Sequence, residues 1–436
     1  MEILGIVTAA SPNVRVWVAS RRPLVAEGEV GLEARGARNF RARLAIILVA
    51  VGCALALPAG VARAEGTSDF KLFPVPFVST DPNAGVTYGL ILAFLETRDA
   101  RTRSITAPSV SYSDIFGVTG TFRHFYYPQG DEKITTYASY GTGSEQAYYL
   151  EYKNPSVLNR TYSLEGQAGY RRLITQRFFG IGPGSTSDDE TAYTREEVGG
   201  TAGVGVYLAD DLRAVLQGRL RKVNVLSSPL DLPAPEDLFP ETPGLDGDLV
   251  GGTKLSLIWD SRDSIDIPSG GLYGIAGLEI GSRNLVGDVS FQRFELEGRA
   301  FLSGASHRYV TAVRVLGQYV VGSDIPFFEL SRLGGSSELR GFGEDRFADH
   351  GKILLQLEER IRFYDLTLFD VFTQLEVAPF LDVGKVFDTH DPFWAEMRPV
   401  GGVGIRLLVP PNVVAAVDIG YGSDGSAIFA NLGYPF

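Results

Sequence analysis

The sequence predicts an all-β protein, a 16-stranded antiparallel transmembrane β-barrel with a polar interior. Apolar and polar residues alternate over segments of about ten residues, and a secretory signal precedes them. The 436 residues include 51 Gly, 26 Phe and 19 Tyr, but only 44% are apolar. A transmembrane strand shows lipid only every second residue and carries aromatic side chains at both interfaces, which produces this composition.

Residues 1–64 are predicted to be an N-terminal extension with a secretory signal peptide. Four arginines precede the apolar run Leu44–Leu57, and Ala62–Ala64 form a small-residue cleavage site. The run is shorter than the roughly 17–25 residues of a spanning helix. We therefore predict cleavage after Ala64, a short periplasmic lead-in over 65–83 and a barrel over 84–436 in a Gram-negative-type outer membrane.

Polar and apolar faces alternate most clearly in the second half of the chain. In Lys352–Phe363, for example, Leu355 and Leu357 alternate with Gln356 and Glu358. A soluble sandwich would also alternate, but the signal peptide favours a barrel. The first four strands are placed within Ala84–Tyr152, with Lys133–Lys153 interpreted as one long strand bent around Gly141 and Gly143; two strands are the alternative. The others are predicted at Thr161–Arg171, Arg195–Leu208, Arg213–Val225, Leu249–Trp259, Leu272–Arg283, Val289–Phe301, Thr311–Val320, Lys352–Phe363, Val371–Phe387, Pro399–Leu408, Val413–Tyr421 and Ile428–Phe436.

The last predicted strand ends on an aromatic residue. Ile428, Ala430, Leu432, Tyr434 and Phe436 are expected to alternate outward along it. This ending resembles the terminal signal of bacterial outer-membrane barrels, which the barrel-assembly machinery reads. We therefore assign Leu432, Tyr434 and Phe436 to a C-terminal barrel signal; a soluble edge strand that ends in Phe is the alternative.

The sequence predicts no enzyme, catalytic residue, metal site or cofactor. No G-x-S-x-G nucleophile motif is present, and Asp260, Asp263 and Asp266 lack the Gly and closing Glu of an EF-hand. A hydrolase built from dispersed side chains is the minor alternative. The net charge of −12 argues against a nucleic-acid partner. The histidines show no metal spacing: His124, His307, His350 and His390.

The tetrapeptide Leu339-Arg340-Gly341-Phe342 lies in a long Gly/Ser-rich loop between strand-like segments. A lone arginine between a leucine and a Gly-Phe turn indicates a loop folded inward, which brings one cation to a fixed partner. In isolation the tetrapeptide would also suit a surface turn.

Several stretches of the chain resemble the Omp85 superfamily of outer-membrane barrels, of the bacterial surface antigen D15 or BamA/TamA type. The resemblance covers about residues 70–436. Because only about 20 residues separate Ala64 from the first predicted strand, fewer than the roughly 50 of a domain, we expect a form that lacks POTRA domains. The stretches are Asp260–Asp263 with Pro268 and Gly270-Gly271, Leu333–Gly335 with Leu339–Phe342, Phe380–Phe387, Asn431–Phe436 and Phe178–Gly182.

The resemblance implies that a long extracellular loop enters the lumen and that its arginine meets acidic residues on the barrel wall. Here that arginine is Arg340, and the matched lumenal acidic partners are Asp382 and Glu358. The alternation of faces independently places both carboxylates in the lumen. An arginine fork on two carboxylates is a directional, charge-assisted contact.

The resemblance also implies a role in outer-membrane protein assembly, insertion or translocation. The implied partners are outer-membrane lipids and lipopolysaccharide, unfolded outer-membrane proteins and a separate periplasmic partner. The alternative is a passive pore or structural surface antigen without insertase activity. In that alternative, lumenal arginines would tune ion selectivity: Arg219, Arg221, Arg293 and Arg299.

Overall fold

The computed structural model describes residues 68–98, 101–129, 132–284, 286–368, 371–389, 392, 394–410 and 413–436. The predicted extension and signal peptide lie outside these residues. Within them, the chain forms a large antiparallel sheet of nineteen strands and a two-stranded sheet. The predicted all-β antiparallel fold class is therefore confirmed. Among the described residues, no helix is both long enough and apolar enough to span a membrane.

Strands follow one another along the chain and pair mainly with their sequence neighbours. The short helical segments are Ser187–Asp189, Pro235–Leu238 and Phe327–Glu329. The strands are β1 Ser68–Asp81, β2 Gly85–Arg98, β3 Arg101–Thr106, β4 Ser109–Ser113, β5 Gly117–Tyr126, β6 Lys133–Gly141, β7 Gln146–Val157, β8 Tyr162–Phe178, β9 Thr191–Ala209, β10 Leu212–Ser227, β11 Leu249–Asp260, β12 Gly271–Ser282, β13 Val286–Ser303, β14 Tyr309–Gly322, β15 Ser331–Leu333, β16 Phe347–Asp349, β17 Gly351–Leu368, β18 Val371–Phe387, β19 Arg398–Val409, β20 Val413–Gly422 and β21 Gly425–Leu432.

The predicted count of 16 strands is too low. Strand β1 occupies most of the expected lead-in over 65–83 and pairs with β2. The segment Lys133–Lys153 is not one bent strand but the hairpin of β6 and β7, in which Tyr140 pairs with Gln146. A tight turn between them, with Ser144 at a φ of 77°, reverses the chain where a bend was expected. Strands β3 and β4 are two parts of one span, divided at Pro108 because proline has no N–H for the ladder.

The first and last strands of the sheet are neighbours. The Thr80 hydroxyl in β1 donates a hydrogen bond of 2.7 Å to the Ile428 carbonyl in β21. These two residues are 348 positions apart in the chain, so the contact joins the two ends of the sheet. We call the β1–β21 boundary the seam.

The two faces of the sheet have opposite chemistry. On β17, Leu355 is 45% exposed, whereas Glu358 is completely buried. The same contrast separates Leu381 from Asp382 on β18. An apolar exposed face around a charged buried interior is the reverse of a soluble domain and is typical of a barrel in lipid. The predicted alternation of faces on these strands is correct.

Successive connections lie at opposite ends of the antiparallel strands. The long connections 179–190, 228–248 and 323–350 share one end, the long-loop end; 158–161, 210–211 and 304–308 share the short-turn end. The connection 323–350, hereafter the inner loop, packs against the interior face of the sheet. Its Phe327 and Phe328 pack with Phe178, Tyr193 and Phe291 in one buried cluster.

We expect Leu255→Arg to lower the free energy of unfolding in liposomes by about 2–4 kcal/mol, the cost of a lipid-facing cation near the bilayer midplane. Leu255 is 54% exposed on β11, and its neighbour Lys254 faces inward and binds Glu295 at 2.5 Å. The control Lys254→Arg should change stability much less, because it keeps a lumenal cation. Equal losses in urea unfolding would contradict the assigned faces.

Candidate functional site in the barrel lumen

Two glycines form the bend of the inner loop. Gly334 and Gly335 have φ values of 128° and 100°, which L residues rarely adopt. The Gly335 N–H donates to the Phe342 carbonyl, and the Phe342 N–H donates to the Leu339 carbonyl. This double turn buries Leu339 and Phe342 in a lumenal apolar cluster and directs Arg340 toward the wall.

Arg340 is completely buried and meets both predicted carboxylates. Its Nε and Nη2 each donate to Asp382 at 2.9 Å, and its Nη1 donates to Glu358 at 2.7 Å. Its guanidinium carbon lies 3.5 Å from the centroid of the Phe380 ring. The structure thus brings Arg340, Asp382 and Glu358 together in one site, with the bidentate geometry that arginine favours.

The tight approach of the loop to β20 explains Gly341. A Cβ at this position would lie 2.8 Å from the Gly422 nitrogen. On the facing strand, a Cβ at Gly420 would lie 2.0 Å from the Arg340 carbonyl oxygen. Gly341 is therefore required for close backbone approach, and a larger residue at either position would push the loop away from β20.

Arg340 belongs to a larger set of buried charges that we call the lumenal ion network. Glu358 also accepts from Arg360 at 2.8 Å and from Arg406 at 2.9 Å. Arg406 in turn binds Asp418 on β20 at 3.0 Å. The network contains four arginines and four carboxylates and is neutral as a whole: Arg340, Arg360, Arg362, Arg406, Glu358, Glu376, Asp382 and Asp418.

Opposite charges within the network stabilise one another's ionised forms. Burial by itself would lower the pKa of Arg340, but Asp382 and Glu358 outweigh burial and raise that pKa. A buried charge whose partner is removed costs about 3–5 kcal/mol. Arg406 and Asp418 were not among the predicted site residues, although the alternation of faces on β19 and β20 would have placed both in the lumen.

A second anchor holds the other part of the inner loop with the opposite charge arrangement. The Glu329 carboxylate, 2% exposed, accepts from Arg219 at 3.1 Å, Arg221 at 2.6 Å and Arg293 at 2.7 Å. Burial would raise the pKa of Glu329, but the three arginines hold it below its usual range. Three of the four predicted lumenal arginines are thus paired with Glu329, and Arg299 pairs with Glu297.

A polar cavity of about 260 Å³ lies between the inner loop and the wall. Lys352 donates to Glu338 at 2.6 Å across it, and Arg332 pairs with Asp345. Glu344 also lines the cavity. Burial, followed by the neighbouring charges of Asp345 and Glu338, raises the pKa of Glu344 to about 8. Glu344 is therefore largely protonated at neutral pH in the folded protein.

The predicted outward alternation of the last segment is only partly correct. Ile428 is 46% exposed, as expected, but β21 ends at Leu432 and Gly433 turns the chain at a φ of 96°. The prediction is wrong for Tyr434 and Phe436, which turn inward. Phe436 is 5% exposed and packs on Phe301 and Ala312, since the turn redirects the segment into the lumen. Their assignment to a barrel signal remains a prediction.

The Asp260–Asp263 motif runs from the end of β11 into the turn 261–270. Arg262 donates to the Asp260 carboxylate at 2.8 Å, and the Asp263 carboxylate accepts from the Ser269 N–H at 2.9 Å. These bonds order the turn. Over the described residues, no group of three or more His, Cys, Asp or Glu side chains is arranged to hold a metal ion.

Arg340→Ala and Asp382→Ala should each lower the free energy of unfolding by about 3–5 kcal/mol, because each leaves a buried charge uncompensated. The double variant should be no worse than either single variant. Heat resistance on unheated gels and urea unfolding measure this effect. Arg283→Ala is the control, since its 3.9 Å pair with Asp324 is exposed; fully additive losses would contradict the pairing.

The raised pKa of Glu344 should make the free energy of unfolding depend on pH. Because folding raises its pKa from 4.5 to about 8, the folded state binds the proton more tightly, so stability is fully present below pH 4.5 and falls as the pH rises through about 8. Glu344→Gln should therefore stabilise the protein at pH 9, by at most about 5 kcal/mol, and flatten the profile. Exposed Glu396→Gln is the control; a profile unchanged by Glu344→Gln would disprove the assignment.

Comparison with known proteins agrees with this architecture. A family model described as the Omp85 superfamily domain matches residues 130–420, more than half of the chain. Among solved structures, BamA from Haemophilus ducreyi lacking POTRA domains 1–3 aligns with 84% of this chain and 74% of its own, at a TM-score of 0.54 and 13% identity. This likeness concerns the fold alone.

Two further solved structures align at lower TM-scores. CdiB from Acinetobacter baumannii has a TM-score of 0.47 and 11% identity, over 84% of this chain and 65% of its own. Wzi, a carbohydrate-binding β-barrel involved in group 1 capsule assembly in Escherichia coli, has a TM-score of 0.38 and 9% identity. The alignment covers 85% of this chain and 83% of Wzi. No curated protein matches significantly. From the family match, the chain belongs to the Omp85 superfamily of outer-membrane β-barrels.

Proposed function

We propose that this barrel takes part in the assembly, insertion or translocation of proteins at the outer membrane. The observation that carries the proposal is the buried fork of Arg340 on Asp382 and Glu358, in a chain of the Omp85 superfamily. Its proposed partners are unfolded outer-membrane proteins and a separate periplasmic partner, within a membrane of lipid and lipopolysaccharide. We propose no catalytic residue and no cofactor.

The position of the fork suggests how the barrel would work. Arg340 fastens the inner loop to β17 and β18, and the loop backbone lies directly against β20 at Gly420. Strand β21, which follows β20, borders the seam. If the seam opens, each edge exposes unpaired backbone groups, to which an unfolded segment can add as a strand. The loop would support the strands that guide this addition.

The filled lumen argues against a passive pore in this conformation. The inner loop occupies the interior, and the arginines proposed for ion selectivity already bind carboxylates. At the long-loop end, Arg346 joins the inner loop to Asp424 in the β20–β21 turn and to Ser185 in the connection 179–190. The Gly182 N–H in that connection also donates to the Ala348 carbonyl. These contacts restrict the passage that a pore would need.

Protein refolded into liposomes should accelerate the insertion of an unfolded small outer-membrane barrel protein, and Arg340→Ala should reduce the acceleration about tenfold or more. Removal of one partner of a buried ion pair costs several kcal/mol. The fraction of molecules with the inner loop in place should therefore fall by at least that factor. Arg283→Ala, which alters an exposed pair, should retain full activity.

Bilayer conductance recorded on the same samples distinguishes the alternatives. Acceleration without steady conductance supports the proposal. If the samples show steady conductance but no acceleration of insertion, whether or not a periplasmic extract is added, the protein is a pore and the proposal is wrong. Acceleration that is equal in wild type and Arg340→Ala would show insertion that does not depend on the fork, and would remove Arg340 from the mechanism.

A further inference from the structure

The short-turn end of the lumen is occupied by two segments from distant parts of the chain. The first is the turn 261–270 between β11 and β12, and the second is the inward segment 433–436 that follows β21. Ile267 and Tyr434 both pack on a cluster formed by Leu408, Val414 and Ala416 of β19 and β20. Four strands separate β12 from β19 in the wall, so the turn reaches these residues across the lumen. We call the two segments the short-end plug.

Arg360 on β17 donates hydrogen bonds to both parts of this plug. It is completely buried, and its Nη1 and Nη2 donate to the Pro268 carbonyl at 3.4 Å and to the main-chain oxygen of Phe436 at 3.2 Å. Its guanidinium carbon lies 3.6 Å from the centroid of the Tyr434 ring. The third donor, Nε, binds Glu358 at 2.8 Å.

Glu358 is also the carboxylate that receives Arg340 of the inner loop, at 2.7 Å. Glu358 therefore lies between Arg360, which holds the short-end plug, and Arg340, which holds the inner loop. A second route runs parallel to it. The Tyr434 hydroxyl donates to Glu376 at 2.9 Å, Glu376 lies 3.5 Å from Arg406, and Arg406 binds Glu358 at 2.9 Å.

We propose that Arg360 couples the short-end plug to the inner loop, so that withdrawal of the segment 433–436 releases Arg340. When the segment leaves, Arg360 loses the main-chain oxygen of Phe436 and the face of the Tyr434 ring, and Glu376 loses the Tyr434 hydroxyl. Both changes admit water to the network and leave Glu358 shared among less constrained arginines, which weakens its contact with Arg340. The segment follows directly on β21, so opening of the seam is the event that would withdraw it.

This coupling is a property of the folded barrel and does not depend on the proposed role in protein assembly. Arg360 is surrounded by Glu358, the Pro268 carbonyl, the main-chain oxygen of Phe436 and three rings, those of Tyr434, Phe301 and Phe436. The side-chain carboxylate that Arg360 contacts is Glu358, which also receives Arg340. The plug and the inner loop therefore share one acceptor, which is why the two sites respond together.

Hydrogen–deuterium exchange of the full chain in liposomes tests the coupling. Tyr434→Ala should raise exchange of the amides at 339–342 about tenfold, and Tyr434→Phe, which keeps the ring, should raise it less. Arg360→Leu should have the effect of Tyr434→Ala, and the double variant should exceed either single variant by less than about twofold. Ile428→Ala, an outward change on β21, should leave these amides unchanged.

Faster exchange at 433–436 in Tyr434→Ala, with 339–342 within about twofold of wild type, would overturn the coupling. Multiplied effects in the double variant would also overturn it, because they would show that Tyr434 does not act on the loop through Arg360. If Arg360→Leu does not fold, Arg360→Lys replaces it under the same thresholds, since an ammonium keeps the charge but cannot reach all three acceptors as a planar fork.

Discussion

The interior of this barrel depends on Glu358, one buried carboxylate shared by three arginines. Arg340 reaches it from the inner loop, Arg360 from its own strand β17, and Arg406 from β19. A carboxylate without these partners would not remain ionised in so enclosed a site. Equal numbers of arginines and carboxylates make the full network neutral. The network therefore stabilises the interior only as a complete set, and the loss of any member leaves an opposite charge behind.

This dependence follows from the inverted chemistry of a membrane barrel. Lipid covers the outer face, so apolar side chains such as Leu355 and Leu381 are placed there and leave the interior to polar groups. The inner loop adds apolar side chains that pack on the apolar residues of the lumenal wall. Leu339 and Phe342 form a cluster with Phe380 and Val400, immediately beside the Arg340 fork. Apolar burial and ion pairing are thus concentrated in the same loop, which makes that loop the chief determinant of interior order.

Much of this arrangement could be predicted from sequence because strand alternation has a period of two. Once Glu358 and Asp382 are assigned to one face, that face is the lumen, and the resemblance of the loop motif indicates Arg340 as their partner. Residues farther along the same faces, Arg406 and Asp418, could have been found by the same rule. What alternation cannot predict is where a strand stops. The alternating pattern predicts a last strand that runs to Phe436. In the structure, the positive φ of Gly433 turns the chain, so that Tyr434 and Phe436 lie inside.

The predicted number of strands was too low for a related reason, because alternation also does not show where the chain reverses its direction. Glycines in Lys133–Lys153 suit a bent strand or a hairpin equally well, and the hairpin prevails because every residue from Lys133 to Tyr140 pairs with one from Gln146 to Lys153. The network of arginines around Glu358 is likewise a product of tertiary structure. Its members come from four successive strands and a loop, and no local pattern indicates which charges will meet.

The two anchors of the inner loop have opposite polarity, and this fixes how the loop lies in the lumen. Glu329 of the loop meets the wall arginines Arg219, Arg221 and Arg293, whereas Arg340 of the loop meets wall carboxylates. A loop that reversed its direction would bring Arg340 to arginines and Glu329 to carboxylates. Like charges in a buried site are strongly unfavourable, so the wrong placement is penalised twice. The two anchors therefore specify one direction for the loop, and when one of them breaks the other still specifies where the loop returns.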